Sequence, residues 1–441
     1  MLMRIPSKCL MTLKRVEQSS IGPSLFKVVN EVDDSELFNK KDDLVLALFL
    51  AFVLDTIKRD DVTCEEFVDV QIYLSTLPEN NSYNNLPRRW PDDVIQDLLG
   101  GTSVFRHVEE EKEGLKKDYS ILKESYGNIS SSLDFHRFPL FESFDHMLAA
   151  VGSRAFDSLG QDGMDAMVPI LDLLDHKRGV NEKSDVSYTR SEEDGSILIV
   201  SKHDLCNGIS PGNTYGAKGN AQLLTRYGFT LEDNIEPDGS SNDVLELSIQ
   251  QSICTLRTGP KSYTYGCFVK VLELLRDEEE KDYPTTDKTD RGPDDINSFL
   301  DSCEQEDNAI HDFDIYCEME DDSHDDFEND YDSDKRSDCK AIDRLKDILK
   351  QAASGLSLNG NRLHKMRTST VDRERFCAYL ITSELRTIEF YQLAADLILS
   401  KLKGKDEVAA EIYGKKDTKY ELFIEQAREL QSVFFQIRYP N

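Results

Sequence analysis

V-P-I-L-D-L-L-D-H, residues 168–176, and T-Y-G-A-K-G-N-A-Q-L-L-T-R-Y-G-F, residues 214–229, decide how this chain is read. The first is an apolar run with a β-branched start that ends on an Asp-His pair, Asp175 and His176. That pattern predicts a buried strand and the loop that follows it. The second holds Tyr215-Gly216, then Asn220, then Tyr227-Gly228-Phe229. Between them, Ala221–Arg226 predicts a short helical turn that holds Tyr215 and Tyr227, twelve residues apart, at a fixed separation. Taken singly, each half also suits an ordinary core strand or a Gly-containing turn.

Composition narrows the classes. A chain of 441 residues has room for two or three domains and a sizeable core. A net charge of −32 argues against a nucleic-acid binder, which needs a basic footprint. It suits a basic protein partner or plain solubility. The nine cysteines form no Cys-x-x-Cys, so neither a zinc knuckle nor a redox motif is supported. Their odd number and scatter suit a reducing, intracellular compartment. The opening Met1–Pro6 is not followed by an apolar stretch of signal-peptide length. The run from Leu44 to Leu54, bracketed by Asp43 and Asp55, is too short for a bilayer and predicts a buried helix.

Further out, residues 41–140 predict helices. Leu44 to Ile57 and Glu66 to Leu77 come first. A third helix enters at the R-R-W-P-D-D around Trp90 and stops at Gly100-Gly101. Glu109 to Lys123 is charged and periodic, a solvent-facing helix. Residues 139–160 predict an amphipathic helix ending at Ser153-Arg154-Ala155-Phe156. A strand over Ser196–Val200 and a bend over Gly208–Gly212 lead into Tyr215. From Leu245 the chain is expected to turn helical again. Asp277 to Asp338 carries 26 acidic residues against five basic ones, the composition of a disordered insertion. Within it, Asp321 to Asp334 lacks the Gly and terminal Glu spacing of an EF-hand loop, so no metal site is expected. Residues 341–441 have apolar positions at helical spacing.

The two quoted stretches, in this order, resemble the SET-domain methyltransferases of the Rubisco-large-subunit/actin-histidine branch. There the pattern is P-x-x-D-x-x-N-H, then Y-G-x-x-x-N-x-x-L-L-x-x-Y-G-F. The resemblance implies an α+β fold: a SET-domain β-fold with a helical insert, followed by an all-helical substrate-binding domain. It divides the chain into an N-terminal part of the SET domain (1–40), the insert (41–140), the SET core (141–240) and the C-terminal helical domain (241–441) with the acidic insert 277–338. It also implies S-adenosyl-L-methionine as cofactor, a protein substrate, no nucleic acid, no membrane and a monomer. In the family a Gly-x-Gly strand precedes the segment matched by Arg4-Ile5-Pro6 and Ser20-Ile21-Gly22-Pro23, and no residue of the present sequence is assigned to that role.

Carried over residue by residue, the resemblance makes Tyr215 the residue that orients the acceptor amine. Arg154, Asp172, Asp175, His176, Tyr227, Gly228, Phe229, Ser20, Ile21 and Gly22 become the cofactor-binding set. Phe156 becomes an apolar wall of the substrate pocket. Asp175 replaces the family's Asn, keeping an acceptor and losing the amide donor. Three readings follow: a protein-lysine N-methyltransferase, a non-catalytic SET-derived binding protein, and a protein-histidine N-methyltransferase. An apolar Phe156 favours an aliphatic amine over an imidazole.

Overall fold

The computed structural model describes residues 2–58, 65–130, 137–160, 164–177, 184–205, 208, 210–236, 240–249, 252–258, 261–276, 327–356, 360–405 and 421–439. In chain order the elements begin with β1 (Met3–Ile5), β2 (Met11–Thr12), α1 (Leu13–Glu17), α2 (Gly22–Asn30), α3 (Lys41–Lys58), α4 (Val68–Leu74), α5 (Asp92–Leu99), α6 (Val104–Ile129) and α7 (Phe141–Arg154). Then come β3 (Ala155–Phe156), β4 (Ala166–Met167), β5 (Val186–Arg190), β6 (Ile197–Ser201) and a short α8 (Asn220–Gln222) that runs into a π-helical turn, Leu223–Tyr227. The chain finishes with β7 (Val244–Ile249), β8 (Ser252–Arg257), α9 (Lys261–Arg276), α10 (Phe327–Gly355), α11 (Gly360–Arg367), α12 (Asp372–Leu402) and α13 (Glu421–Arg438). Two compact units divide these elements. The first holds residues 1–91, 106–217 and 224–228; the second holds 92–105, 218–223 and 229–441.

In the first unit the strands are short and antiparallel, in the orders β1-β6-β5 and β2-β4-β3. Ile5 faces Ile197 and Met3 faces Ile199, while Tyr188 opposes Ile199 from the other side. Side chains alternate across a strand. Ile5, Val186, Ile197 and Ile199 therefore share one buried face with Val168 and Leu171. A larger core gathers around α3, whose residues Leu44 to Ala51 are all buried, as an all-round apolar helix requires. It packs on α7, α2 and α4.

Helix α6 departs from the solvent-facing expectation. Val108, Leu115 and Leu122 are buried along one face, and Asp118 among them is 0% exposed. The Asp118 carboxylate accepts the Phe38 and Asn39 backbone N–H groups at 2.7 and 2.9 Å and the Asn39 side-chain amide at 2.8 Å. Those donors stand just ahead of α3. A charge-rich sequence thus hides one carboxylate that holds the loop leading into another helix.

The run 168–174 is not a strand. The strand ends at Met167, and Leu171–Leu173 form a single 3-10 turn. Pro169 has no N–H for a ladder, and Ile170 takes φ 73° and ψ −44°, which no strand permits. Val168 and Leu171 are buried as expected, but Ile170 and Leu173 are half exposed.

In the second unit the expectation of helix from Leu245 fails over 244–257. There β7 and β8 pair as a hairpin, with Val244 opposite Arg257 and Ile249 opposite Ser252. The residues alternate with period two: Leu245, Leu247, Ile249, Cys254 and Leu256 are buried between more exposed neighbours. Beyond the hairpin the unit is helical, with Phe268 of α9 stacked on Tyr391 of α12 and edge-on to Phe434 of α13. Most of the acidic stretch, 277–326, lies outside the described residues. Its last part does not behave as an unstructured insertion, because 327–338 belongs to α10. Asp338 is fully buried in ion pairs with Arg276 and Arg438 and accepts the Tyr439 hydroxyl at 2.6 Å. It shares a buried stripe with Ala341, Ile342, Leu345 and Leu349, which composition averaged over the segment conceals.

Candidate active site

The matched residues of the first unit meet where the 3-10 turn, the Asp175–Lys177 backbone and the Asn213–Tyr215 segment run side by side. Asn213 donates its N–H to the Asp175 carbonyl at 2.9 Å and accepts the Lys177 N–H at 2.6 Å. These two bonds make His176 and Asn213 a parallel bridge. The Asp175 carbonyl and the Lys177 amide are therefore occupied by Asn213. Asn213 itself is buried, and its side-chain carbonyl accepts the Ser184 hydroxyl at 3.2 Å. Sequence reasoning passed over Asn213 and Ser184; the polar pair Asn213-Thr214 directly before Tyr215 was the available signal.

Tyr215 is fixed at both ends. Its backbone N–H donates to His176 Nδ1 at 3.0 Å, and its hydroxyl donates to the Leu174 carbonyl at 2.9 Å. A backbone amide can only donate, so Nδ1 of His176 is the acceptor nitrogen and carries no proton. The two rings lie 5.0 Å apart. Tyr215 also stacks on Tyr227 at 4.8 Å with an interplanar angle of 23°. The helical turn expected over Ala221–Arg226 is present, and it delivers Tyr227 to this stack. Gly228 follows at φ +78°, and a Cβ there would sit 3.3 Å from Asn85, so both conformation and space favour glycine. Burial raises the Tyr215 phenol above its ordinary pKa. Arg154 opposes that shift, and Asp175 and Asp172 reinforce it.

Arg154 ends α7 beside this group. Its Nε donates to the Tyr83 hydroxyl at 3.3 Å, and its Nη1 donates to the Asp172 carbonyl. Nη2 takes part in neither bond. Burial works against the guanidinium charge, but Tyr83 and Asp172 outweigh it and hold the pKa above its usual value. Asp172 is buried, and its Oδ2 accepts the Tyr73 hydroxyl at 2.5 Å while Oδ1 has no hydrogen-bond partner. Burial pushes this carboxyl up, with Tyr73 and Arg154 pulling the other way. Tyr73 and Tyr83, both from the helical stretch 41–140, were not among the expected site residues. Each reads there as a core aromatic, and nothing local marks a hydroxyl that reaches Asp172 or Arg154.

The other expected residues have these surroundings. Asp175 has an exposed side chain. Ser20 donates its N–H to the Glu66 carboxylate at 2.6 Å, Ile21 is buried in the α3 core, and Gly22 opens α2. A Cβ on Gly22 would lie 1.7 Å from the Val16 carbonyl oxygen, so close packing of the α1–α2 turn dictates that glycine. Phe156 sits edge-on to Tyr188 at 5.4 Å. Phe229 belongs to the second unit, where its N–H donates to the Leu223 carbonyl at 3.3 Å.

Fold and site together define a class: this is the SET-domain fold of the Rubisco large-subunit methyltransferase type. The crystal structure of the SET domain of LSMT bound to lysine and AdoHcy matches with a TM-score of 0.55 at 14% identity, over 94% of this chain and 87% of that one. The structure of Rubisco LSMT bound to AdoMet matches with a TM-score of 0.53 at 16% identity, over 96% and 88%. In sequence the chain is similar to N-lysine methyltransferase SETD6 of Homo sapiens, 25% identical over 178 residues, 39% of this chain and 35% of that protein. It is also similar to ribosomal lysine N-methyltransferase set10 of Schizosaccharomyces pombe, 30% identical over 125 residues, 25% of this chain and 22% of that protein. The matched part thus spans about a third or less of these curated relatives. No family model matches. Among the described residues no helix is long and apolar enough to cross a membrane.

Proposed function

We propose that this protein is an S-adenosyl-L-methionine-dependent protein-lysine N-methyltransferase. The observation that carries the reading is Tyr215, pinned by Leu174 and His176 and stacked on Tyr227. The names of its sequence relatives, lysine methyltransferases, support it.

The donor set fits the cofactor. Stacked aromatic faces attract a cation through the ring quadrupole. A guanidinium with one nitrogen outside its two described bonds suits a carboxylate. When bound, S-adenosyl-L-methionine supplies a methyl group activated on a sulfonium. The chain's own residues then have to position and to exclude water. Tyr215 keeps its proton at neutral pH, because its pKa is raised, so it is not the base. With its hydrogen directed at Leu174, the phenol oxygen keeps lone pairs to accept an N–H of an incoming amine and hold the nitrogen in line. The lysine amine reaches the site neutral, having lost its proton to solvent. Arg154 anchors the carboxylate end, and Tyr227 with Tyr215 forms the dry wall.

In this reading 41–140 is the insert of the SET domain, and the region from 241 onward, hairpin and helices together, is the substrate-binding part. Asp175, His176, Gly228 and Ser20-Ile21-Gly22 complete the cofactor's surroundings, Phe156 lines the acceptor pocket, and the protein works as a monomer inside the cell. The test is transfer of radiolabelled methyl to lysate proteins, followed by acid hydrolysis of the product. Labelled methyl-lysine, lost in Tyr215→Phe, is expected. Labelled methyl-histidine would overturn the lysine assignment, and no transfer with intact substrate binding would leave a binding protein.

A further inference from the structure

The helical stretch 41–140 has no residue in the site as the family resemblance assigns it, yet two of its tyrosines enter. Tyr73, on α4, is 3% exposed and donates its hydroxyl to Asp172 Oδ2 at 2.5 Å, across 99 residues of sequence. Tyr83, in the 3-10 turn Asn80–Tyr83, is 7% exposed and accepts from Arg154 Nε at 3.3 Å. Arg154 and Asp172 are joined to each other through Nη1 and the Asp172 carbonyl. Each tyrosine is itself held. Tyr83 has the His146 ring at 5.5 Å and the Arg89 guanidinium over its face at 5.6 Å. Tyr73 belongs to the buried core around α3. A guanidinium on a four-bond side chain points in one direction only when its neighbours fix it. Here one hydroxyl meets the guanidinium directly, and the other meets the carboxylate of the residue whose carbonyl meets it.

We infer that Tyr73 and Tyr83 are positioning residues, a two-hydroxyl clamp that aims Arg154 at the carboxylate of the cofactor. This rests on the methyltransferase reading. The ring of each tyrosine packs in the core, and its hydroxyl sets the direction of the arginine. The helical stretch thereby controls affinity for the amino-acid end of the ligand without touching it.

The experiment is isothermal calorimetry on the full chain with two probes. S-adenosylhomocysteine carries the carboxylate; methylthioadenosine shares the nucleoside thioether and lacks it. Tyr73→Phe and Tyr83→Phe keep the rings and delete the hydroxyls. Each is expected to weaken S-adenosylhomocysteine binding roughly tenfold, the scale of one hydrogen bond to a charged partner. Methylthioadenosine should bind all three proteins alike. In turnover assays KM for S-adenosyl-L-methionine should rise with kcat changed far less. Tyr119→Phe, which removes a hydroxyl donated to the Pro139 carbonyl, is the control and should change neither affinity. Equal S-adenosylhomocysteine affinity in parent and both variants overturns the clamp. A parallel loss for both probes also overturns it, because that marks general loosening. If Tyr73→Phe does not fold, Tyr83→Phe decides alone. Absence of S-adenosylhomocysteine binding in the parent would sink the methyltransferase reading itself, a result distinct from either failure of the clamp.

Discussion

The backbone N–H of Tyr215 donates to Nδ1 of His176 at 3.0 Å, so a side chain from one segment fixes both the path of the other and its own tautomer. Replacing His176 by alanine leaves that amide without its partner. A loss of about 1–3 kcal/mol is expected. Denaturant unfolding of His176→Ala should move to lower midpoint with the slope unchanged, and His176→Asn, which can still accept, should recover part of it.

Tyr215→Phe keeps the stack on Tyr227 and removes the oxygen that would accept from the amine. Turnover should fall by roughly 10²-fold or more, the scale of losing one positioned polar group. Calorimetric affinity for S-adenosylhomocysteine should stay within about twofold, since ring and stack remain. Unchanged turnover would remove Tyr215 from the reaction.

Asp175 differs from the family's asparagine, and its side chain is exposed. Its charge is solvated, so it acts on the site weakly and through a screened medium. Asp175→Asn is expected to tighten S-adenosyl-L-methionine binding slightly at low salt, with the gain vanishing near 1 M salt. Weaker binding in the variant would mean the carboxylate has another partner.

In the second unit, burial raises Glu384 to about 7; the Ser103 amide and hydroxyl, both donating to Oε1, counter the shift, and Asp243 and Glu246 add to it. Burial likewise lifts Asp243 to about 6. A carboxyl with a raised native pKa holds its proton more tightly folded than unfolded. Between pH ~4.5 and ~7 the native state binds more protons, and stability falls as pH rises through that window. Glu384→Gln keeps an acceptor and carries no charge. Its stability should run flatter across the window, with a gain over the parent on the order of 2–3 kcal/mol above pH 7. Thermal melts of both proteins from pH 4.5 to 8 read this directly, and parallel curves would refute it.

Asp338 is the one acid of the 277–338 stretch with a described buried role. Asp338→Asn strands Arg276 and Arg438 without their carboxylate, and breaking such a buried pair costs about 3–5 kcal/mol. A fall in melting temperature of several degrees is expected, whereas Asp334→Asn, whose Arg438 contact is long at 4.0 Å and exposed, should shift it little.

How much was legible depended on range. Helix α3 could be read because the unbroken apolar run Leu44 to Leu54 carries the signal, and α7 because its apolar stripe ends on a recognisable Ser-Arg-Ala-Phe. The Tyr215–Tyr227 pairing could be read because a single local turn sets it. Three kinds of feature were hidden. Val244–Arg257 alternates with period two, but the segment is short and flanked by helices, so neither period dominates. Asp338 vanished into the average of its acidic neighbours. Tyr73 and Tyr83 act through hydroxyls on residues 99 and 71 positions away, a distance at which a lone sequence carries no signal.

Asp118 has one more consequence, for the order in which parts of the first unit come apart. Its carboxylate, in the middle of α6, holds the loop amides just ahead of α3, so the loop cannot open apart from α6 without stranding a buried charge. In hydrogen-exchange terms, the amides of Phe38 and Asn39, which lie ahead of a helix and would ordinarily exchange in seconds, should share the slow opening of α6. A helix rich in acids and bases therefore acts as the latch on the entry to the most apolar one.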